Sequence, residues 1–174
     1  MIVTVGREVE TYASALRALP PKVQRAAVQG LNEGGDKTRT PVRRDLREQT
    51  GVKAYGSITK RTATKRAHPG RLVYEIIGTG KGMPIKEFPY RAAVRAPVTA
   101  QPWRVAHTFA RSFKTSAKGL LRARRGPSRF PIRALYGPAV PKEIIKDRTA
   151  AGFEAHAAPN VERAVMRRLG RLLP

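Results

Sequence analysis

Cysteine is absent from all 174 residues, which removes disulfides, thiolate metal sites and cysteine nucleophiles together. Acid is scarce: 12 Asp+Glu stand against 35 Lys+Arg, a formal net charge of +23. A chain so charged repels itself and attracts polyanions, so its expected neighbours are nucleic acid, an acidic protein surface or an anionic membrane. No stretch approaches the ~18 consecutive apolar residues of a membrane span. The opening MIVTVGREVE, with Glu8 and Glu10, has no apolar run of signal-peptide length. A soluble protein with no membrane partner is expected, while the lack of cysteine leaves the redox compartment open.

Groupings that would carry catalysis are also missing. His68, His107 and His156 are far apart and share no metal-ligand spacing. The glycines of GTGKGMP, Gly78 to Pro84, do not make a phosphate loop. That loop needs four residues between its glycines and then Gly-Lys-Ser/Thr opening a helix, so a hairpin or plain loop is expected. Glu143 and Asp147 are four apart on a short helix but lie among Lys142, Lys146 and Arg148, which reads as a solvated, ion-paired face. With no positioned acid–base partners, neither an enzyme nor a cofactor or metal is expected.

What is present begins with helices. Val5, Val9, Tyr12, Ala13 and Leu16 recur at three- and four-residue steps, a short amphipathic helix stopped at Pro20 and Pro21. Pro21 suits the first turn of the next helix, whose stripe is Val23, Ala26, Ala27 and Leu31. Gly30, Gly34 and Gly35 each weaken it by roughly 1 kcal/mol relative to alanine. Thr40 and Pro41 read as cap and first position of a fresh helix with Val42 and Leu46 inward and Gly51 as its stop. One long helix kinked near Pro41 fits nearly as well. This helical part, 1–50, holds half the acids: Glu8, Glu10, Glu33, Asp36, Asp45 and Glu48.

Beyond Gly51, KAYGSITKRTATKRAHPGR reads as a loop or irregular helix, and a β-rich part follows over 71–138. RLVYEIIGTG, YRAAVRAPV and WRVAHTFARSF read as strands, the third with Trp103, Val105, His107 and Phe109 on one face by period two. On that face His107 is a hydrogen-bonded core or interface residue. GLLRARRG and RFPIRALYG complete a meander, and Pro131 makes the last an edge strand or one that starts late. A C-terminal helix over 159–173 is expected, capped by Asn160 after Pro159, with Val161, Val165, Leu169 and Leu172 as its stripe and Arg163, Arg167 and Arg171 opposite. Helices, then strands, then a helix indicate an α+β fold. The length fits one domain, 1–174, and the 41% hydrophobic content a modest core.

Between Phe88 and Lys142 there is no acid, yet the stretch carries Arg91, Arg95, Arg104, Arg111, Lys114, Lys118, Arg122, Arg124, Arg125, Arg129 and Arg133. Trp103, Phe109, Phe113 and Phe130 are interleaved, as in a sheet that stacks single-stranded bases. Basic loops facing an acidic protein or the DNA backbone fit equally well. Sequence-specific DNA reading is not expected, because no helix-turn-helix or finger pattern appears.

The run FARSFKTSAKGLLRARRGPSRFPIRALYGPAVPKEI resembles the C-terminal core of the minor tail protein Z family, the tail completion proteins of long-tailed bacteriophages and their prophage relatives. The matching features are Phe109, Ala110 and Arg111; Gly119; Arg122 to Arg125; Arg129, Pro131 and Ile132; the Leu-Tyr-Gly-Pro turn Leu135 to Pro138; and the helix start at Val140 and Pro141. VQRAAVQGLNEGGDKTRTPVRRDLREQTGVK and RLVYEIIGTGKGMPIKEF are similar to that family's long helix and to its strand with a Pro-Ile-x-x-Phe turn. The likeness spans roughly Val23 to Ile145 and departs at the Pro-rich RAPVTAQPWRVAHTF and at Pro127.

The resemblance implies a structural virion protein of the head-proximal neck, assembled in the bacterial cytoplasm as a homo-oligomeric ring, six-fold to match tail symmetry. Its implied partners are the tail tube or tail terminator and the head connector, with genomic DNA or the tape-measure protein in the channel. Under that reading Arg122, Arg124, Arg125 and Arg129 contact DNA or an acidic neighbour. Arg133, Leu135, Tyr136, Gly137, Pro138, Val140 and Pro141 seat the subunit in the ring. The acid-bearing N-terminal helices and the acid-free sheet supply complementary faces. A free basic nucleic-acid-binding protein is the alternative.

Overall fold

Pro21 opens the first helix of the computed structural model, which describes residues 20–93, 96–115 and 119–172. The amphipathic stripe from Val5 to Leu16 lies outside the described residues, as do Arg95 and Lys118 of the acid-free run. Helix α1 spans Pro21–Thr50 and passes through Pro41 without a break, so Thr40 starts no new helix. An interior proline forfeits a backbone hydrogen bond at a cost of about 3 kcal/mol. Burial offsets it: Val42 and Leu46 are 2% and 0% exposed, each contributing about 1.5–3 kcal/mol. Gly51 ends the helix at φ +74° and donates its N–H to the Arg47 carbonyl at 2.9 Å, a left-handed stop that glycine adopts without strain.

The remaining elements are helix α2 (Tyr55–Thr59), strands β1 (Thr62–Lys65), β2 (Glu75–Gly78), β3 (Tyr90–Arg91), β4 (Val98–Ala100), β5 (His107–Phe109), β6 (Ser112–Lys114), β7 (Leu121–Arg124) and β8 (Ile132–Ala134), then helices α3 (Val140–Glu143) and α4 (Asp147–Leu169). The fold is α+β. β1 and β2 form a two-stranded sheet, and β3-β4-β5 and β6-β7-β8 are antiparallel meanders. The described residues divide into two compact units, one of 20–40, 64–76 and 154–172, the other within 41–63 and 77–153.

In the first unit two helical segments meet over very small side chains. A Cβ placed on Gly30 would lie 2.6 Å from the Val165 Cα, and one on Gly34 2.5 Å from the Val161 Cα. These glycines are where α4 backbone lies against α1. Thr38, one turn on, is 1% exposed; its hydroxyl donates to the Gly34 carbonyl at 2.9 Å and accepts from Asn160 Nδ2 at 3.2 Å. Asn160 is therefore no N-cap: α4 begins at Asp147 and carries Pro159 inside it. The buried residue of its late turns is Ala164, while Leu172 lies past the helix and is 45% exposed. Asn32 holds the Ala67 backbone with two hydrogen bonds of 2.8 and 2.9 Å.

The second unit has the larger core, in which Leu46, Ile58, Met83, Ile85, Phe88, Val98, Ala100, Leu121, Ala123 and Val140 pack together. The basic stretch after Gly51, expected as loop or irregular helix, supplies α2, whose Ile58 is fully buried, and then β1. Glu75–Gly78 is a strand within RLVYEIIGTG, and β8 is an edge strand beginning after Pro131, as expected.

Two long strands dissolve into shorter pieces. Among its described residues, YRAAVRAPV contributes Tyr90–Arg91 and the start of β4. WRVAHTFARSF holds the end of a 3-10 turn at Pro102–Arg104, then β5, a turn and β6. Trp103, Arg104 and Arg111 sit at φ 53°, 59° and 54°, in the left-handed region that side chains disfavour, and each such residue breaks the two-residue alternation. The face read from Trp103, Val105, His107 and Phe109 accordingly does not form: Trp103 and Val105 are 43% and 55% exposed, and His107 is exposed.

Candidate functional site

The sequence LRAR makes β7 two-sided. Leu121 and Ala123 are buried, while the residues between and after them, Arg122 and Arg124, point to the other face. Register sets Phe113 of β6 opposite Arg122, with Ala134 of β8 beyond it, and sets Arg124 opposite Ile132. The outer face is therefore Phe113, Arg122, Arg124, Ile132 and Ala134. The Arg124 guanidinium carbon lies 5.3 Å from the Phe113 ring centroid, within cation–π range. Beyond the strand, Arg125 donates its backbone N–H to the Pro131 carbonyl at 3.1 Å, and Arg129 lies 5.6 Å from the ring centre of Phe130. Phe130 is 65% exposed. A shallow cavity of about 280 Å³ is lined by Arg111, Ser112, Phe113, Arg124, Gly126 and Pro127.

Electrostatically this face is unbalanced. Nine ion pairs elsewhere engage Glu33, Asp36, Asp45, Glu48, Glu75 and Glu87. Among the described residues none of Arg111, Arg122, Arg124, Arg125 and Arg129 has a carboxylate partner, nor has Arg133, which the register sets opposite Ala123 on the other face. Arg122 Nε is buried without a hydrogen-bond partner, a condition that costs about 1–3 kcal/mol or more when left uncompensated. The acids of α1, expected as a free complementary face, are consumed within the subunit. Glu33 is shared by Lys37, Arg167 and Arg168, Asp36 by Arg39 and Arg66, Asp45 is bound to Arg148 and Glu48 to Arg104.

The Leu-Tyr-Gly-Pro turn is largely internal. Leu135, Pro138 and Val140 are buried. Ile85 N–H donates to the Leu135 carbonyl at 3.0 Å, Gly137 N–H to Met83 at 2.8 Å, and Met83 N–H to Pro138 at 2.8 Å. A Cβ on Gly137 would press the Phe88 ring at 3.0 Å, and one on Gly78 would lie 2.9 Å from the Pro141 backbone. Of the seven residues proposed to seat a neighbour, Arg133 and Tyr136 face outward, Tyr136 at 59% exposure. The rest hold the turn to the core of its own unit.

Other sequence candidates resolve differently. Glu143 is 8% exposed and accepts from Gln49 Nε2 at 3.1 Å, so it is a buried hydrogen-bonded group and not part of a solvated face. Gln49 Oε1 in turn accepts from the Thr149 N–H and hydroxyl at 2.9 and 2.7 Å. His107 is no core residue and meets Trp103 edge-on at 6.2 Å. Trp103 reads from the sequence as a strand position, in the core or among base-stacking aromatics, since period two cannot reveal a left-handed residue. In the first unit, a cavity of about 560 Å³ lies beside Glu33, Asp36, Arg66 and Arg168. The Arg167 guanidinium, with Lys37 and Arg168, holds the Glu33 carboxyl down to about 2. Burial, then the hydrogen bond to Asp36, pushes the Tyr74 phenol up to about 12.

Among the described residues no cluster of His, Asp or Glu is arranged to hold a metal ion, and no helix is long and apolar enough to cross a membrane. The chemistry available to the arginine face is recognition: planar donors and exposed rings suit phosphate, carboxylate or stacked bases. Comparison of the chain with protein-family models, with curated proteins and with solved structures finds no match.

Proposed function

We propose that this chain is a tail completion protein of a long-tailed phage or a tail-like derivative, a structural subunit forming a closed ring, six-fold, at the head-proximal end of the tail. It joins the tail tube or terminator to the head connector, with DNA or the tape-measure protein in the channel, and its reading includes no catalysis. The observation that carries the proposal is the arginine face of β6–β8, without a carboxylate partner among the described residues and covalently continuous with the Leu135–Val140 turn on which the family resemblance rests. A patch of that much uncompensated like charge attracts an acidic or polyanionic partner. In a ring, Arg133 and Tyr136 are available to the neighbour, and Leu135, Gly137, Pro138, Val140 and Pro141 support them from beneath.

The test is to purify particles from the source and image the head–tail junction. A density ring of this chain at the neck, at fixed copy number, is the expected result. Finding the chain only outside particles and on nucleic acid refutes it. That second reading, a free nucleic-acid-binding protein, draws on the Arg124–Phe113 and Arg129–Phe130 pairs. It requires an affinity falling with salt by a log–log slope of about 0.9 per neutralised phosphate on duplex DNA.

A further inference from the structure

Ion pairing inside the subunit leaves few acids to answer the arginine face. Of the described carboxylates, six are paired to cations and Glu143 is buried against Gln49. The remaining three, Asp147, Glu154 and Glu162, are all exposed and all on α4. In a chain of such basic composition, each lacks a cation where a helix would supply one. The residues three and four positions away from Glu154 are all alanine, and those around Glu162 are Ala158, Pro159, Val165 and Met166.

Glu154 and Glu162, eight residues apart within the first unit, lie on one side of the helix over about 12 Å. Ala158 and Met166 share that side, and both are exposed. The side is thus acidic, shallow enough for close approach, and isolated from the helix's own arginines. The arginine hairpin has the converse character: cationic, with the exposed Phe130 ring and the half-buried Phe113 ring beside its arginines.

We infer that the arginine hairpin docks on the Glu154–Glu162 side of α4 in a second copy of this chain, a heterologous contact that propagates around the ring. It rests on the ring proposed above and moves the acidic half of the contact from the N-terminal helix to α4. Charge complementarity selects the occupant: no other set of unengaged carboxylates exists among the described residues. Each copy presents both halves, as head-to-tail closure requires.

The experiment uses the full chain and sedimentation velocity across a concentration series, with circular dichroism to verify folding. R124E/R125E and E154R/E162R each raise the concentration needed for assembly by roughly tenfold or more, because like charges then face one another. The variant combining all four substitutions recovers assembly, and so does an equimolar mixture of the two, whose hairpins and helices are complementary in alternation. Reversals that leave the oligomer intact overturn the inference while the neck-ring reading stands. So does a folded combined variant that fails to recover. If R124E/R125E alone abolishes retention on single-stranded DNA and E154R/E162R changes nothing, the hairpin's partner is nucleic acid and the inference falls. A parent chain that is monomeric at every concentration and absent from particles defeats both.

Discussion

Replacing Gly34 by alanine tests how the helices of the first unit are held. Intrinsic propensity favours the change by about 0.8–1.0 kcal/mol, since glycine is the poorer helix former. Geometry opposes it. The new Cβ would sit 2.5 Å from Val161 Cα, 2.8 Å from Val161 N and 2.9 Å from Asn160 O, against an ordinary carbon contact of about 3.5–4.0 Å. All three obstacles are backbone, so no side chain can swing aside and the helical segments must separate by about 1 Å. Overpacking of this kind costs about 1–3 kcal/mol. The same displacement strains the 3.2 Å bond from Asn160 to Thr38, worth about 0.5–1.5 kcal/mol. Subtracting the propensity gain leaves a net loss near 2 kcal/mol, or roughly 4–8 °C in a chain of this size. Urea and thermal melts measure it. Gly56→Ala is the control, because a Cβ there meets nothing within 4 Å, and it should be neutral or slightly stabilising. A Gly34→Ala protein that melts at or above the parent would refute the close-contact account.

Further expectations concern charge and backbone. Glu33, whose folded pKa of about 2 lies below its unfolded 4.5, adds stability that is fully present above pH 4.5 and lost as pH falls through 2. The melting-temperature gap between parent and Glu33→Gln should therefore close over that window. Tyr74, raised from 10.0 to about 12 by burial and the Asp36 bond, should be missing from the phenolate absorbance step near pH 10. Its contribution to stability holds below pH 10 and is lost as pH rises through 12, and Tyr74→Phe removes the late step. Gly51→Ala forces a side chain to φ +74° with the Arg104 nitrogen 2.9 Å away and should destabilise by about 1–3 kcal/mol in urea melts. Arg61 grips both oxygens of Glu87 at 2.8 and 3.0 Å, so Arg61→Lys, which cannot form that fork, should cost about 1 kcal/mol by the same measurement.

How much of this was readable in advance depended on whether the determinant was local. Apolar periodicity placed Val42 and Leu46 in the core and Gly51 at a helix end, since both signals lie within a turn or two of chain. GLLRARRG was legible as a strand of a meander, and the structure gives its LRAR segment a buried and an outer side. Pro41 and Pro159 misled because a proline's cost is local while its compensation, burial of Val42, Leu46 and Ala164, is tertiary. Gly30 and Gly34 read as weak helix positions because their use is to admit backbone more than a hundred residues away. Trp103 and Arg111 escaped because left-handed backbone at a non-glycine residue has no sequence signature. At the candidate site, the acid-free run located the arginines. Which carboxylates remained unengaged depended on pairs such as Arg167 with Glu33 and Arg148 with Asp45 that only folding brings together.

The turn from Leu135 to Val140, stitched by three backbone hydrogen bonds to Met83 and Ile85, bears on the thermodynamics of recognition. A loop that must be ordered on binding surrenders roughly 1–2 kcal/mol of backbone entropy for each residue fixed. Here that loss is incurred during folding, because the turn's apolar residues are already sunk in the core. Tyr136 and Arg133 are thus displayed on a stationary base, and a partner that meets them need restrict only side-chain rotamers. Substitutions beneath the turn, at Gly137 or Val140, should weaken assembly by making the display mobile, even though neither side of the contact would lose an atom.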